Sequence, residues 1–172
     1  MEKQAEAALK RAIGMLEAIL VRQTGLQREM LRLAEDKQQA IVKGDLEKLE
    51  KTVADEKKLV CQIEEEEEKR LAVMPLVKSG LGLDESVEKL ADVIASMPEP
   101  ERERMANVRN DLKEILETCQ VKTRHNAELL KASLEHVEAF LRTVSEAASP
   151  DANYRRDGKK GGSGPTIIDR SA

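Results

Sequence analysis

The chain has 172 residues, of which 36% are charged, 40% hydrophobic and only 1% aromatic, and its formal net charge is −4. Phe140 and Tyr154 are its only aromatic residues of the Phe, Tyr and Trp class, so it has neither the ring-filled core of an ordinary globular domain nor a platform for stacking nucleic-acid bases. Its negative charge gives no general attraction to nucleic acid or anionic membranes.

The apolar residues are mostly Leu, Ile, Val, Met and Ala, set among Glu, Lys, Arg and Gln, which is the composition of long helices and coiled coils. Residues 2–43 contain no Pro, and Leu9, Ile13, Leu16, Leu20, Met30, Ala34 and Ile41 follow steps of three and four. A second series, Ala12, Ile19, Leu26, Leu33 and Ala40, flanks the first. Together they predict one helix of about 60 Å, at 1.5 Å per residue, with a stripe wide enough for more than one partner helix. Gln23, Gln27 and Lys37 interrupt the seam and are expected at its tolerated rim. Gly14 and Gly25 weaken helix propensity by ~1 kcal/mol each relative to Ala.

Gly44-Asp45 reads as a stop and a restart. Gly takes the left-handed position after a helix, and the Asp carboxylate caps the next one. A helix is predicted over 45–78, carrying Leu46, Leu49, Val53, Val60, Ile63, Leu71 and Met74. So short a connection requires an antiparallel hairpin. Pro75 disfavours helix at Met74, so a kink or an end is expected there. Glu64 to Glu68 point in several directions around the helix and do not converge on one ligand. They read as a solvated charged stretch, with a docking patch for a basic partner as the alternative.

Residues 79–83 read as a loop, and Asp84 is expected to cap a short helix over 84–96 with Val87, Leu90, Val93 and Ile94 inward. Met97-Pro98-Glu99-Pro100 ends it. The last helix is predicted over 101–147. Its apolar face runs from Met105 through Val108, Leu112, Ile115 and Leu116 to Cys119, and resumes at Leu129, Leu130, Leu134, Val137, Phe140, Leu141 and Val144. From Ser149 the chain turns polar and Gly-rich, too poor in apolar surface to offset its ordering entropy, and is expected to be mobile. Ile167 and Ile168 near its end read either as a short linear binding element or as a frayed terminus. The chain thus divides into a helical bundle over 1–148 and a flexible tail over 149–172.

Chemistry has little support in these residues. His125 and His136 are eleven positions apart on one predicted helix, about 16 Å along its axis and too far to share a metal. Lys122 and Ser133 stand where a di-iron bundle needs Glu three residues before each His. No phosphate-binding loop or nucleophile–base pattern is present in the sequence, so no enzymatic activity, metal or cofactor is expected. Arg155, Arg156, Lys159 and Lys160 are interleaved with Asp and read as a solvated linker. Cys61 and Cys119 form no CxxC pair and are expected to be buried free thiols of a reducing compartment. With no signal-peptide pattern at the N-terminus and no apolar run near the ~20 residues of a membrane span, a cytosolic protein is expected, with no membrane insertion and no nucleic-acid partner. What remains is surface recognition. The strip Leu129, Leu130, Leu134, Val137, Phe140 and Leu141 either closes the protein's own bundle or receives a partner's amphipathic helix.

Four ordered features carry a resemblance. The first is Leu31, Leu33, Ala34, Glu35, Lys37, Gln38, Ala40, Ile41 and Val42, followed by Gly44, Asp45, Glu47 and Leu49. The second is Glu56, Lys57, Leu59, Ile63, Glu68 and Arg70. The third is Asn126, Leu129, Leu130, Ser133, Leu134 and Val137. The fourth is Tyr154 and Gly158 followed by Ile168, Asp169 and Ala172. With these the chain resembles the flagellar type III export chaperones of the hook–filament junction proteins, the FlgN family. The elements above predict an all-α, elongated helical-hairpin bundle with a short third and a long fourth helix, and the resemblance implies a cytosolic chaperone without enzymatic activity. It implies binding of the C-terminal helical segments of flagellar hook-associated proteins, protection from premature assembly, and delivery to the membrane export gate and its ATPase complex. Asn126, Leu129, Leu130, Leu134, Val137 and Leu141 would then meet the client, with Phe140 in the same strip, and Tyr154 with Ile167 and Ile168 would meet the gate. Two positions depart from the pattern: Arg155 stands where the family often has Gly, and Thr123 where it often has a second Asn. A self-associating coiled-coil scaffold, or an adaptor without an export role, is the alternative.

Overall fold

The computed structural model describes residues 2–147. Of these 89% are helical and none lies in a strand, and the elements are α1 (Glu2–Lys43), α2 (Leu46–Gly80), α3 (Leu90–Ala95) and α4 (Glu101–Ala147). The chain divides within α4 into two compact units, Met1–Leu129 and Leu130–Ala172.

In the first unit the turn between α1 and α2 is built by two adjacent residues. Gly44 has φ +66°, its N–H donates to the Ile41 carbonyl at 3.1 Å, and the Asp45 N–H donates to the Ala40 carbonyl at 2.9 Å. These two bonds satisfy the last carbonyls of α1 in a Schellman motif. The Asp45 Oδ1 then accepts from the Lys48 N–H at 3.0 Å, a cap that contributes about 1 kcal/mol. The two helices run antiparallel, as polar cross-pairs along them record. Lys48 Nζ lies 3.1 Å from Asp36 near the turn, Lys37 pairs with Glu56, and Gln23 Nε2 donates to Glu67 at 3.1 Å. Toward the far end Gly80 passes so close to α1 that a Cβ there would sit 2.8 Å from Leu9 Cδ1.

Both apolar series of α1 are used. Ala12, Ile13, Leu16, Ile19 and Leu20 join Val73, Met74 and Val77 of α2, Val93 and Ile94 of α3, Met97, and Met105 of α4 in the main core. Leu26, Leu33 and Leu59, with Met30 and Ile63, form a smaller cluster between α1 and α2 alone. Gln23 is not at a rim. It is buried, and pairing with Glu67 offsets the cost of placing an amide there.

One local expectation is narrowed and another corrected: the end that Pro75 allowed does not occur, and Asp84 caps no helix. α2 passes through Pro75 and ends at Gly80. Pro75 and Leu71 face solvent, so the Leu71 carbonyl that loses its donor is open to water, while buried Val73, Met74 and Val77 hold the helix in place. The stop comes at Gly82, φ +69°, where Leu83 N–H bonds the Lys78 carbonyl at 2.9 Å. Asp84 starts no helix. Its Oδ1 accepts from the Ser86 N–H at 2.9 Å, an Asx turn that competes with helix initiation, and α3 begins only at Leu90.

Candidate docking surface

α4 enters the main core through fully buried Met105, with Ala106, Val108 and Leu112 partly packed beside it. Along the first unit it runs parallel to α1. Arg104 lies 3.7 Å from Glu17, Cys119 Sγ donates to the Gln27 carbonyl at 3.3 Å, and Asn126 Nδ2 donates to the Ala34 carbonyl at 2.7 Å. Leu129 is half-buried. Asn126, at 1% exposure, is not on the surface: it is a structural tie to α1, and its Oδ1 has no partner among the described residues.

In the second unit every described residue, from Leu130 to Ala147, is exposed. The segment holds no Gly or Pro and is rich in Leu, Glu, Ala and Lys or Arg, which sustain helix without tertiary packing. Leu130, Leu134, Val137, Leu141 and Val144 follow the four–three spacing of a coiled-coil seam, and Phe140 stands beside them. Their exposures run from 39% at Leu130 through 60% at Leu134 to 64% at Phe140. Lys131, Glu135, Glu138 and Arg142 occupy other positions around the helix, with Lys131 and Glu135 3.9 Å apart. Such an exposed ion pair adds only a few tenths of a kcal/mol.

A continuous apolar seam in water is unusual for a monomer, which makes this one a candidate interaction surface. Full burial of each such side chain contributes about 1.5–3 kcal/mol, and here more than a third of that remains unspent at every position of the seam. The structure therefore brings Leu130, Leu134, Val137, Phe140 and Leu141 together on one exposed helix. It adds Val144, 48% exposed, which the candidate set omitted although its spacing fits. It sets Asn126 and Leu129 apart from them. Tyr154, Ile167 and Ile168 lie outside the described residues.

His125 and His136 are both exposed, and among the described residues no group of His, Cys, Asp and Glu is placed to hold a metal ion. Cys61 is exposed, contrary to expectation, because its position faces away from both cores of the hairpin; Cys119 is buried, and burial pushes its thiol pKa up. Within the acidic run the Arg70 guanidinium holds the Glu67 carboxyl below its ordinary pKa, with Gln23 adding a further hydrogen bond. Glu64, Glu65 and Glu68 are exposed. No described helix is long and apolar enough to cross a membrane.

The family model described as FlgN protein matches residues 12–162. No curated protein and no solved structure matches this chain.

Proposed function

The chain belongs to the FlgN family, and on that premise we propose that it is the export chaperone of flagellar hook-associated proteins, the proteins of the hook–filament junction. The family points to a flagellar export chaperone. The client, the surface and the delivery route are our reading. The observation that carries it is the exposed seam Leu130, Leu134, Val137, Leu141 and Val144, flanked by Phe140.

A seam with this spacing accepts an amphipathic helix through apolar anchors at i, i+3, i+4 and i+7. The C-terminal helical segment of a hook-associated protein is such a ligand when it is not yet packed into the junction. Covering that segment keeps it from assembling early. The side chains around the seam carry both signs of charge, Lys131 and Arg142 against Glu135 and Glu138. Affinity therefore rests on apolar burial and changes little with salt.

Delivery is assigned to the C-terminal tail, with Tyr154, Ile167 and Ile168 docking the export gate and the ATPase complex, and the complex acting in the cytoplasm. The test is binding of the full-length chain to purified C-terminal segments of hook-associated proteins, with export followed in cells expressing a chain shortened by residues 150–172. Stoichiometric binding together with blocked export in the shortened chain supports the reading. Failure of every such segment to bind overturns it, and self-association through the same seam in its place would favour a scaffold.

A further inference from the structure

α4 is fastened to α1 in two physically different ways within the first unit. Near its start the contact is apolar, with Met105 fully buried in the main core. From Cys119 to Asn126 it is polar. Cys119 Sγ donates to the Gln27 carbonyl at 3.3 Å, Lys122 Nζ to Gln38 Oε1 at 3.2 Å, and Asn126 Nδ2 to the Ala34 carbonyl at 2.7 Å. The apolar cluster at this level, Leu26, Leu33 and Leu59 with Met30 and Ile63, belongs to α1 and α2 and contains no residue of α4.

Two of the three bonds are ones that water replaces readily. A thiol is a weak donor, and a half-exposed lysine exchanges its partner for water at small cost. The Asn126 bond, at 2.7 Å from an amide only 1% exposed, is the one firm tie of the three. Segments with few buried apolar contacts open locally, at lower cost than the fold as a whole.

We propose that residues 119–126 of α4 form a clasp that opens from α1 as a local unit, while the α1–α2 hairpin and the Met105 end stay folded, and that Asn126 sets how readily it opens. The seam of the proposed docking surface lies on the same helix. The clasp lets α4 adjust to a partner helix without disturbing the main core. That consequence rests on the chaperone reading, whereas the opening itself does not.

The chain carries its own reporter, because Cys119 is buried in the clasp and Cys61 is exposed. In the full-length Cys61→Ser protein, alkylation of Cys119 by N-ethylmaleimide is followed by mass spectrometry across a urea series, with helicity read by circular dichroism. The expected rate without urea is at least tenfold above the rate that global unfolding allows, with a shallow dependence on urea. Asn126→Leu, which removes the bond to the Ala34 carbonyl, raises it about tenfold. Met105→Ala lowers the global midpoint and leaves the rate without urea nearly unchanged. Alkylation that tracks the loss of helicity overturns the proposal, as does an unchanged rate in Asn126→Leu. Amide hydrogen exchange of the unaltered protein gives a second measure that no variant can spoil. Residues 119–126 are expected to exchange at least tenfold faster than residues 105–112, and equal protection overturns the clasp. All of these rates are measured without a client, so a failure of hook-associated segments to bind leaves this test intact.

Discussion

Replacing Leu130 and Leu134 together by aspartate removes two adjacent anchors of the α4 seam. Full burial of a leucine contributes about 2 kcal/mol. Leu130 is 39% and Leu134 60% exposed, so docking a helix over them has roughly 0.8 and 1.2 kcal/mol of apolar burial to gain. The apolar loss alone is thus about 2 kcal/mol, or roughly thirtyfold in affinity. Each aspartate also buries a carboxylate without a partner, which costs at least ~1 kcal/mol more. The double variant is expected to bind C-terminal hook-associated segments more than about a hundredfold more weakly by calorimetry. The free protein has little to lose, since neither residue belongs to either core cluster. The thermal midpoint of the α1–α2 hairpin should stay within about 1 °C, because exposed changes away from a core are nearly neutral. Glu135→Ala plus Arg142→Ala, away from the seam, is the matched control and should bind as the parent does. Binding by the double aspartate variant within a few-fold of the parent refutes the seam as the docking surface.

Three further outcomes follow from the hairpin. Gly14→Ala and Gly25→Ala place a methyl in open space and should each stabilise by about 0.5–1 kcal/mol in urea titrations. Gly80→Ala should give no such gain, because its methyl meets Leu9. Pro75→Ala restores the donor to the Leu71 carbonyl and relieves a helix-interior proline, so it should raise stability by about 1–3 kcal/mol; a loss would mean that Pro75 shapes the packing of Val73 and Val77. The Glu67 carboxyl is held below its ordinary value of 4.5 by Arg70 and Gln23. A depressed carboxylate contributes stability that is present above the unfolded value and lost as pH falls through the folded one. Glu67→Gln should therefore be less stable than the parent at pH 7, with the difference shrinking as pH falls below about 4.5. A gap that does not narrow in acid contradicts the pairing.

The parts of the fold that were legible in the sequence were those decided within a few residues. Gly44-Asp45 carries both its stop and its cap, and the α1 series shows its burial by spacing. Where one local signal met a competing one, the sequence misled. Pro75 alone argues for a kink or an end, but it stands on the solvent side of a turn whose inward residues are deeply packed, and the helix runs on. Asp84 alone argues for a cap, but its carboxylate is taken by Ser86. Partners distant in the chain were not legible at all. Gln23 is a seam flaw until Glu67, 44 positions on, meets it. Asn126 matched a client-contact pattern, but the Ala34 carbonyl 92 positions earlier holds it inside. The seam was readable as a stripe. Its exposure was not, because three–four spacing is the same for a helix that closes a core and one that awaits a partner.

The measurement that bears most directly on the chaperone account is amide hydrogen exchange of the full-length chain with and without a C-terminal segment of a hook-associated protein. New protection is expected across Leu130–Val144, with the α1–α2 hairpin unchanged. Protection confined to the hairpin, with Leu130–Val144 exchanging as in the free chain, would contradict that account.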